Sequence, residues 1–228
     1  MTLTQERRWT VFPSSDSLAA AAVAAILAAA RQAIAERGAF HLVLAGGTTP
    51  RRVYQMIAAA AIDWQCWHIY FGDERCLPPD DAERNSRMAS EAWLSRVPIP
   101  PAQILAIPAE HGPVAAAAEY AAALAAVELF DLVLLGLGED GHTASLFPGQ
   151  VHADEQRAAL AVWAAPKPPP ERVTLSVARL SAARQVIFLV TGASKAAAVA
   201  AWRRGEAIPA AAIAPAGGVD IYLEALPG

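Results

Sequence analysis

Short apolar runs alternate with alanine-rich or amphipathic stretches along most of the chain. Residues 132–135 are four consecutive apolar residues before a glycine, which is typical of a strand buried on both faces of a sheet. On the same reasoning we predict strands at 9–12, 40–45, 67–71, 104–107, 132–135, 160–163, 185–190 and 219–223. Residues 172–177 alternate between apolar and polar, which favours an edge strand.

Helices are predicted where alanine dominates or where a start signal precedes an apolar pattern. They fall at 19–35, 50–60, 88–94, 114–127 and from Lys195 to about Trp202. Strands that alternate with helices predict an α/β fold, with a mostly parallel sheet and helices on both faces. Because no internal repeat or low-complexity linker divides the chain, we expect residues 1–228 to form a single domain.

The overall composition limits the classes of partner. Apolar residues make up 55% of the chain, and the formal net charge is only −4. No run of Lys and Arg forms a basic stripe, so nucleic acid is not expected as a partner. Cys66 and Cys76 fit neither a zinc pattern nor a disulfide framework. The first residues lack the apolar core of a signal peptide, and 18–30 is too short and too weakly apolar for a membrane span. We therefore expect a cytoplasmic protein with no membrane partner, and we take it to be a monomer.

The segment 130–148 places the densest group of reactive side chains directly after a predicted strand. These side chains are Glu139, Asp140, His142, Thr143 and Ser145. Ligands of open α/β sheets bind beyond the carboxyl ends of the strands. Histidine titrates near neutral pH and a nearby carboxylate can orient it, so we interpret His142 as an acid–base group that Asp140 assists. A structural histidine and a metal site formed with His152 remain alternatives.

A second candidate site follows the predicted strand at 40–45. Gly46, Gly47 and Thr48 come directly after it, and Pro50 suits the first turn of the next helix. The free backbone N–H groups and the helix dipole at such a turn favour an anion. A tight turn with nothing bound is the alternative.

Two further strand ends carry charged residues. Lys195 begins a predicted helix and is one of only two lysines among eighteen Lys and Arg residues. A compact point charge there suits a phosphate, and a surface lysine is the alternative. Asp73, Glu74 and Arg75 follow another strand and lead into a long loop with two prolines. Such loops often carry function, and an ordinary solvated turn is the alternative.

Residues 136–141 match the GxGxxG pattern of dinucleotide sites, with Asp154 and Glu155 roughly twenty residues further on. That pattern opens a helix of useful length and belongs to the first βαβ unit of a fold. Here Pro148 follows within eight residues and the pattern lies in the middle of the chain. We therefore do not expect a dinucleotide site.

Five motifs occur in the order in which 6-phosphogluconolactonases carry them. They are GGTTP at 46–50, GDER at 72–75 followed by a proline loop and Asn85, GLGEDGHTASLFPG at 136–149, RVTL at 172–175 and TGASKA at 191–196. The chain resembles that family from about Trp9 to Leu223. The resemblance implies a Rossmann-like sheet shared with glucosamine-6-phosphate isomerases and deaminases. It also implies hydrolysis of 6-phospho-D-glucono-1,5-lactone to 6-phosphogluconate in the pentose phosphate pathway, without a metal or an organic cofactor.

The resemblance also assigns roles to single residues. His142 resembles the family's catalytic histidine, and Asp140 resembles the acid that assists it. Positions implied to hold the substrate phosphate are Gly46, Gly47, Thr48, Arg75 and Lys195. Further candidates for substrate binding are Asp73, Asn85 and Arg172. One departure is Ser86, where the family often has an aromatic residue.

The isomerase branch is the nearest rival activity. In those relatives the segment after the shared Asp-Gly-His carries a further glutamate that helps to open the sugar ring, and the aligned residue here is Phe147. Arg75 also stands where the isomerases usually have an aromatic residue. The resemblance therefore favours a lactonase. An aminosugar-phosphate isomerase or deaminase and a non-catalytic sugar-phosphate sensor remain the alternatives.

Overall fold

The computed structural model describes residues 5–150 and 155–225. The strands are β1 (Arg7–Phe12), β2 (Phe40–Leu44), β3 (Trp67–Phe71), β4 (Asp73–Arg75), β5 (Phe130–Gly136), β6 (Ala159–Val162), β7 (Arg172–Leu175), β8 (Ala183–Val190) and β9 (Val219–Glu224). The α-helices are α1 (Ser15–Arg37), α2 (Thr48–Ile57), α3 (Asn85–Ala92), α4 (Pro113–Ala123), α5 (Val177–Ser181) and α6 (Ala196–Arg203). Most of the predicted strands and helices are present with bounds that differ by a few residues.

Six strands form one sheet in the order β1-β9-β8-β5-β2-β3, and every neighbouring pair is parallel. From β2 the chain moves outward to β3, whereas from β5 it moves outward in the other direction to β8 and β9. All of β5 except Gly136 is buried, as expected of a strand that is covered on both faces. The predicted α/β fold, with a Rossmann-like, mostly parallel sheet and helices on both faces, is confirmed.

Clear signals define both ends of α1. The hydroxyl of Ser14 accepts the N–H of Ser17 at 3.2 Å, and Gly38 ends the helix with a φ of 78°, which glycine adopts without strain. The 23 residues of α1 are long and apolar enough to cross a membrane by length and composition, which the stretch 18–30 alone did not indicate. A core helix passes the same test. One face of α1 is buried in the core, through Leu18, Ala19, Ala22, Ile26, Ala30 and Ala33.

A second, three-stranded antiparallel sheet has the order β4-β7-β6. Its middle strand corrects the predicted edge strand at 172–177, because all four residues of β7 are buried between two partners. The polar residues that suggested an exposed face are satisfied internally. Arg172 donates to main-chain carbonyls, and the hydroxyl of Thr174 accepts the N–H of Ser145 at 3.2 Å. Residues 73–75, for which a turn was the alternative, form β4.

The predicted strand at 104–107 is wrong. Ile104 forms one isolated bridge with Ile69, and the N–H of Leu105 donates to the carbonyl of Ile69 at 2.8 Å. Prolines at 98, 100, 101 and 108 flank this segment. Proline has no N–H to donate and fixes φ, so the pairing does not extend into a ladder.

Candidate active site

The carboxyl ends of the parallel strands meet at one edge of the sheet, where the direction of chain progression reverses between β2 and β5. Open α/β sheets bind ligands at such a switch point. A cavity of about 410 Å³ lies there. The predicted site residues that line it are Gly46, Gly47, Asp73, Arg75, Asn85, His142, Arg172 and Lys195. Segments that are far apart in the sequence therefore converge on one cavity.

Two predicted site residues lie outside the lining of this cavity. Thr48 is the first residue of α2, and Asp140 contacts the ring of His142. A larger cavity of about 490 Å³ is lined in part by Arg7, Gly149 and Ile208, and it contains none of the predicted site residues. The titratable groups converge on the smaller cavity, which is therefore the candidate active site.

Asp140 holds the imidazole of His142. The Nδ1 atom of His142 lies 2.5 Å from Oδ1 of Asp140, and the same oxygen accepts the backbone N–H of His142 at 3.1 Å. Burial acts to raise the pKa of the Asp140 carboxyl, but the contacts with His142 outweigh it and hold that pKa below its ordinary value. An ionised Asp140 selects the tautomer with the proton on Nδ1 and leaves Nε2 as the basic nitrogen.

The surrounding loop fixes the position of the imidazole. A methyl group on Gly138 would lie 2.0 Å from Nδ1 of His142, so only glycine leaves room for the ring. The N–H of Gly138 donates to the carbonyl of His142 at 2.7 Å, and the Phe147 ring lies 4.8 Å from the imidazole, centroid to centroid. The His142 side chain is 18% exposed. It is therefore accessible from the cavity but held on its other sides.

Asp73 and Asn85 form a buried polar network in the cavity wall. The Oγ of Ser145 donates to Oδ2 of Asp73 at 2.6 Å, and Nδ2 of Asn85 donates to Oδ1 of Asp73 at 3.1 Å. A methyl group on Gly46 would lie 2.0 Å from Oδ1 of Asn85, so the glycine loop and this amide are in close contact. The network fixes both candidate substrate-binding side chains beside the loop after β2.

Glu74 has a structural role that the sequence did not reveal. Its carboxylate is fully buried and accepts the backbone N–H groups of Arg75, Asn85 and Ser86 at 2.8–2.9 Å. It also lies 3.5 Å from Nε of Arg84. Asn85 and Ser86 begin α3, so the carboxylate caps this helix, which starts before the predicted residue 88. A cap supplied from another strand has no local sequence signal.

The two predicted anion-binding segments contact each other. Oγ1 of Thr49 lies 2.6 Å from Oγ1 of Thr191, which joins the loop after β2 to the loop after β8. Gly47, with a φ of 108°, precedes α2, and Lys195 directly precedes α6. Within the described chain, no side chain caps the first turn of either helix. The N–H groups of Thr48 and Thr49 in the first turn of α2 remain available to an anion. The N–H of Ala196 at the start of α6 donates to the carbonyl of Ala193, so there the Lys195 side chain is the candidate anion contact.

Arg172 uses several of its donors inside the protein. Its Nε donates to the carbonyl of Pro169 at 3.1 Å, and its Nη2 donates to those of Lys167 at 2.8 Å and Pro168 at 3.2 Å. Burial lowers the pKa of this guanidinium. The guanidinium carbon also lies 5.7 Å from the centre of the Phe147 ring. Arg172 therefore shapes the cavity wall as well as contributing charge to it.

Positive charge dominates the lining of the cavity. Its cationic residues are Arg75, Lys167, Arg172 and Lys195, and Asp73 is the one carboxylate among the described lining residues. Clefts lined by one sign of charge raise the local concentration of the opposite ion. No motif in the sequence marks Lys167, because its place in the cavity depends on a loop from the second sheet.

Two other ligand classes considered from the sequence lack support in residues 5–150 and 155–225. In those ranges no group of three or more His, Cys, Asp or Glu side chains is placed to hold a metal ion. No helix begins at Gly141, so the GxGxxG pattern lacks the helix that a dinucleotide site requires. His152 and Asp154, which entered these alternatives, lie outside the described residues.

Comparisons with known proteins identify the family of this chain and agree with its fold. The profile of the glucosamine-6-phosphate isomerases/6-phosphogluconolactonase family matches residues 13–222. The 6-phosphogluconolactonase of Mycobacterium leprae is 37% identical over 226 residues, which cover 92% of this chain and 91% of that protein. The 6-phosphogluconolactonase of Mycobacterium tuberculosis is 40% identical over 206 residues, with 84% and 83% covered. The crystal structure of the 6-phosphogluconolactonase of Thermotoga maritima has a TM-score of 0.90 at 25% identity, with 96% and 100% covered. The chain belongs to the glucosamine-6-phosphate isomerase/6-phosphogluconolactonase family.

Proposed function

We propose that this chain hydrolyses 6-phospho-D-glucono-1,5-lactone to 6-phosphogluconate, with His142 as the general base. We also propose that the chain forms a single domain and that the protein is a cytoplasmic monomer. The reaction is proposed to need no metal or organic cofactor. The relatives named 6-phosphogluconolactonase support the reaction. The observation that carries the residue assignment is the imidazole of His142, oriented by Asp140 at 2.5 Å, in the wall of a cavity lined mainly by cations.

The chemical step uses Nε2 of His142 as the base. Water is a poor nucleophile, and Nε2 takes one of its protons as the water oxygen bonds to C1 of the lactone. The resulting tetrahedral intermediate collapses with cleavage of the bond between C1 and the ring oxygen, and the imidazolium returns the proton to that oxygen. The products are the C1 carboxyl group and the hydroxyl on C5. Asp140 stabilises the imidazolium between the two transfers.

The phosphate supplies binding energy at a distance from the bond that breaks. We assign it to the loop of Gly46, Gly47 and Thr48, where the uncapped first turn of α2 offers N–H groups, and to the side chains of Arg75 and Lys195. Binding at a remote group positions the reactive carbon and restricts its motion. Asp73 and Asn85 are assigned to the sugar hydroxyls, because their network lies in the same wall.

A test of the reaction uses freshly prepared lactone. Acid release in a pH-stat, compared with spontaneous hydrolysis, separates an enzyme from a sugar-phosphate sensor, and ammonia release from glucosamine-6-phosphate detects the isomerase or deaminase alternative. We expect rapid acid release and no ammonia. The apolar ring of Phe147 beside the imidazole supports this expectation, since the relay carboxylate of the isomerases is aligned with that position. Acid release at the spontaneous rate would contradict the proposed activity.

Lys195→Ala is expected to raise KM about tenfold and to change kcat by much less, because it removes one charge-assisted contact with the phosphate. Initial rates over a range of lactone concentrations measure both constants. Arg31→Ala is the matched control, since it removes the same charge from an exposed position on α1 outside the cavity lining. A fall in kcat at constant KM would contradict the assignment of Lys195 to the phosphate site.

Asp140→Asn is expected to lower kcat while KM stays within about twofold, because the amide no longer selects the tautomer with a basic Nε2. Where the carboxylate of such a His–Asp pair is buried, the equivalent Asp→Asn change lowers kcat roughly 10⁴-fold. The Asp140 side chain is 37% exposed, so water can partly replace it and the loss should be smaller. Steady-state kinetics measure kcat and KM of the variant, and an unchanged kcat would show that Asp140 does not assist the base.

A further inference from the structure

Lys167 lines the candidate site from a loop of the second sheet. The loop 163–171 connects β6 to β7, and Lys167 and Pro168 of this loop lie in the cavity wall. Arg172 holds the backbone of the loop through the carbonyls of residues 167, 168 and 169. The N–H of Ala165 also donates to the carbonyl of Pro170 at 3.0 Å, which closes the loop on itself. The backbone of this loop is therefore fixed, and the flexible side chain of Lys167 places its ammonium group at the cavity.

Glu139 is the partner of this ammonium group. Nζ of Lys167 lies 3.6 Å from Oε2 of Glu139, and the two side chains are 53% and 54% exposed. Glu139 directly precedes Asp140, so the pair links the β6–β7 loop to the loop that carries His142. An ion pair between two exposed, flexible side chains contributes little to stability. The ammonium can leave Glu139 at little cost when a stronger partner enters the cavity.

We propose that Lys167 is a further substrate-binding cation, whose ammonium pairs with Glu139 in the free protein and moves to the phosphate of the substrate in the complex. This inference rests on the proposed function, since it takes a phosphorylated sugar as the ligand. A lysine has three donors on a flexible stem, which suits the exchange of one oxygen partner for another. A phosphate carries more negative charge than the carboxylate of Glu139, so the exchange favours the complex.

The two members of the pair should respond in opposite directions. Lys167→Ala is expected to raise the Kd of 6-phosphogluconate, measured by isothermal titration calorimetry, and the KM of the lactone by about tenfold each, with kcat within about twofold. Arg172 bonds to main-chain carbonyls of this loop, so truncating the Lys167 side chain leaves the loop in place. Glu139→Gln is expected to lower both constants, by about threefold, because it frees the Lys167 ammonium from its carboxylate partner. Lys167→Arg keeps the charge and should restore most of the affinity.

If the ion pair served only to hold the β6–β7 loop in place, the two variants would have the same effect on binding, because a change to either side chain breaks the same contact. Weaker binding in both Lys167→Ala and Glu139→Gln, or an unchanged Kd in Lys167→Ala, would overturn the inference. Failure of the proposed function would be seen in the wild-type protein itself, separately from the variants. A wild-type protein that binds 6-phosphogluconate but leaves the lactone to hydrolyse spontaneously contradicts the activity, while the Kd comparison still decides the role of Lys167. A wild-type protein that does not bind 6-phosphogluconate overturns both.

Discussion

His142→Ala is expected to lower kcat for lactone hydrolysis by roughly 10²–10⁴-fold, the range that a positioned general base contributes. Binding should persist, because the residues assigned to the phosphate lie on other segments of the cavity wall. The Kd of 6-phosphogluconate is therefore expected to stay within about threefold of the wild-type value, which separates a loss of chemistry from a loss of binding. Single-turnover kinetics with fresh lactone, corrected for spontaneous hydrolysis, measure the chemical step.

His111→Ala is a matched control for this change. Nδ1 of His111 lies 3.1 Å from the carboxylate of Glu119, so it is also a histidine paired with an acid, but it is exposed and lies outside the cavity lining. We expect wild-type kcat for this variant. A folded His142→Ala protein with near wild-type turnover would exclude His142 as the base.

Gly138→Ala is expected to reduce kcat nearly as much as His142→Ala, although the catalytic side chain remains in the protein. The new methyl group would lie 2.0 Å from Nδ1 and 2.2 Å from Cε1 of His142, so the imidazole must leave its position beside Asp140. Gly138 is not among the glycines with a positive φ, so alanine brings no backbone strain. The protein should therefore fold normally, and circular dichroism and a thermal melt can check this.

Gly217→Ala controls for the addition of a methyl group to a glycine. That methyl would lie 3.3 Å from the carbonyl of Arg184, outside the lining of the candidate site, so activity per folded molecule should not change. If Gly138→Ala kept wild-type kcat, the imidazole would not act from the position in which Asp140 holds it. The variant thus tests the geometry of the base, whereas His142→Ala tests its identity.

Local signals were sufficient to predict most of the fold. The capping serine and the terminal glycine of α1 lie within a residue or two of the ends they define, and the apolar run of β5 needs no distant partner to be recognised. The prolines that flank 104–107 are a local signal against a strand there, and they outweigh its apolar run. The wrong edge position of 172–177 has a different cause. Whether an apolar or alternating segment forms an inner strand depends on its neighbours in space, which local pattern does not specify.

The contacts of the candidate site likewise include one between near neighbours, which the sequence can predict, and several between distant segments, which it cannot. His142 and Asp140 are two residues apart, so their contact could be anticipated from spacing and chemistry. The contacts of Ser145 with Asp73, of Thr49 with Thr191, and of Lys167 with Glu139 join distant segments. Glu74 was named within a charged cluster, but its role as the cap of α3 depends on the loop that returns to it. Such roles follow from the tertiary fold and had no signal in the motifs alone.

The most direct test of the account is a crystal structure of the protein soaked with 6-phosphogluconate. We expect the phosphate to contact Lys195 and the loop of Gly46 and Gly47, and the C1 carboxylate to lie within about 3.2 Å of Nε2 of His142. That arrangement would place the base at the carbon that water attacks. A ligand bound with its phosphate against His142, or with C1 remote from the imidazole, would contradict the assignment of His142 as the general base.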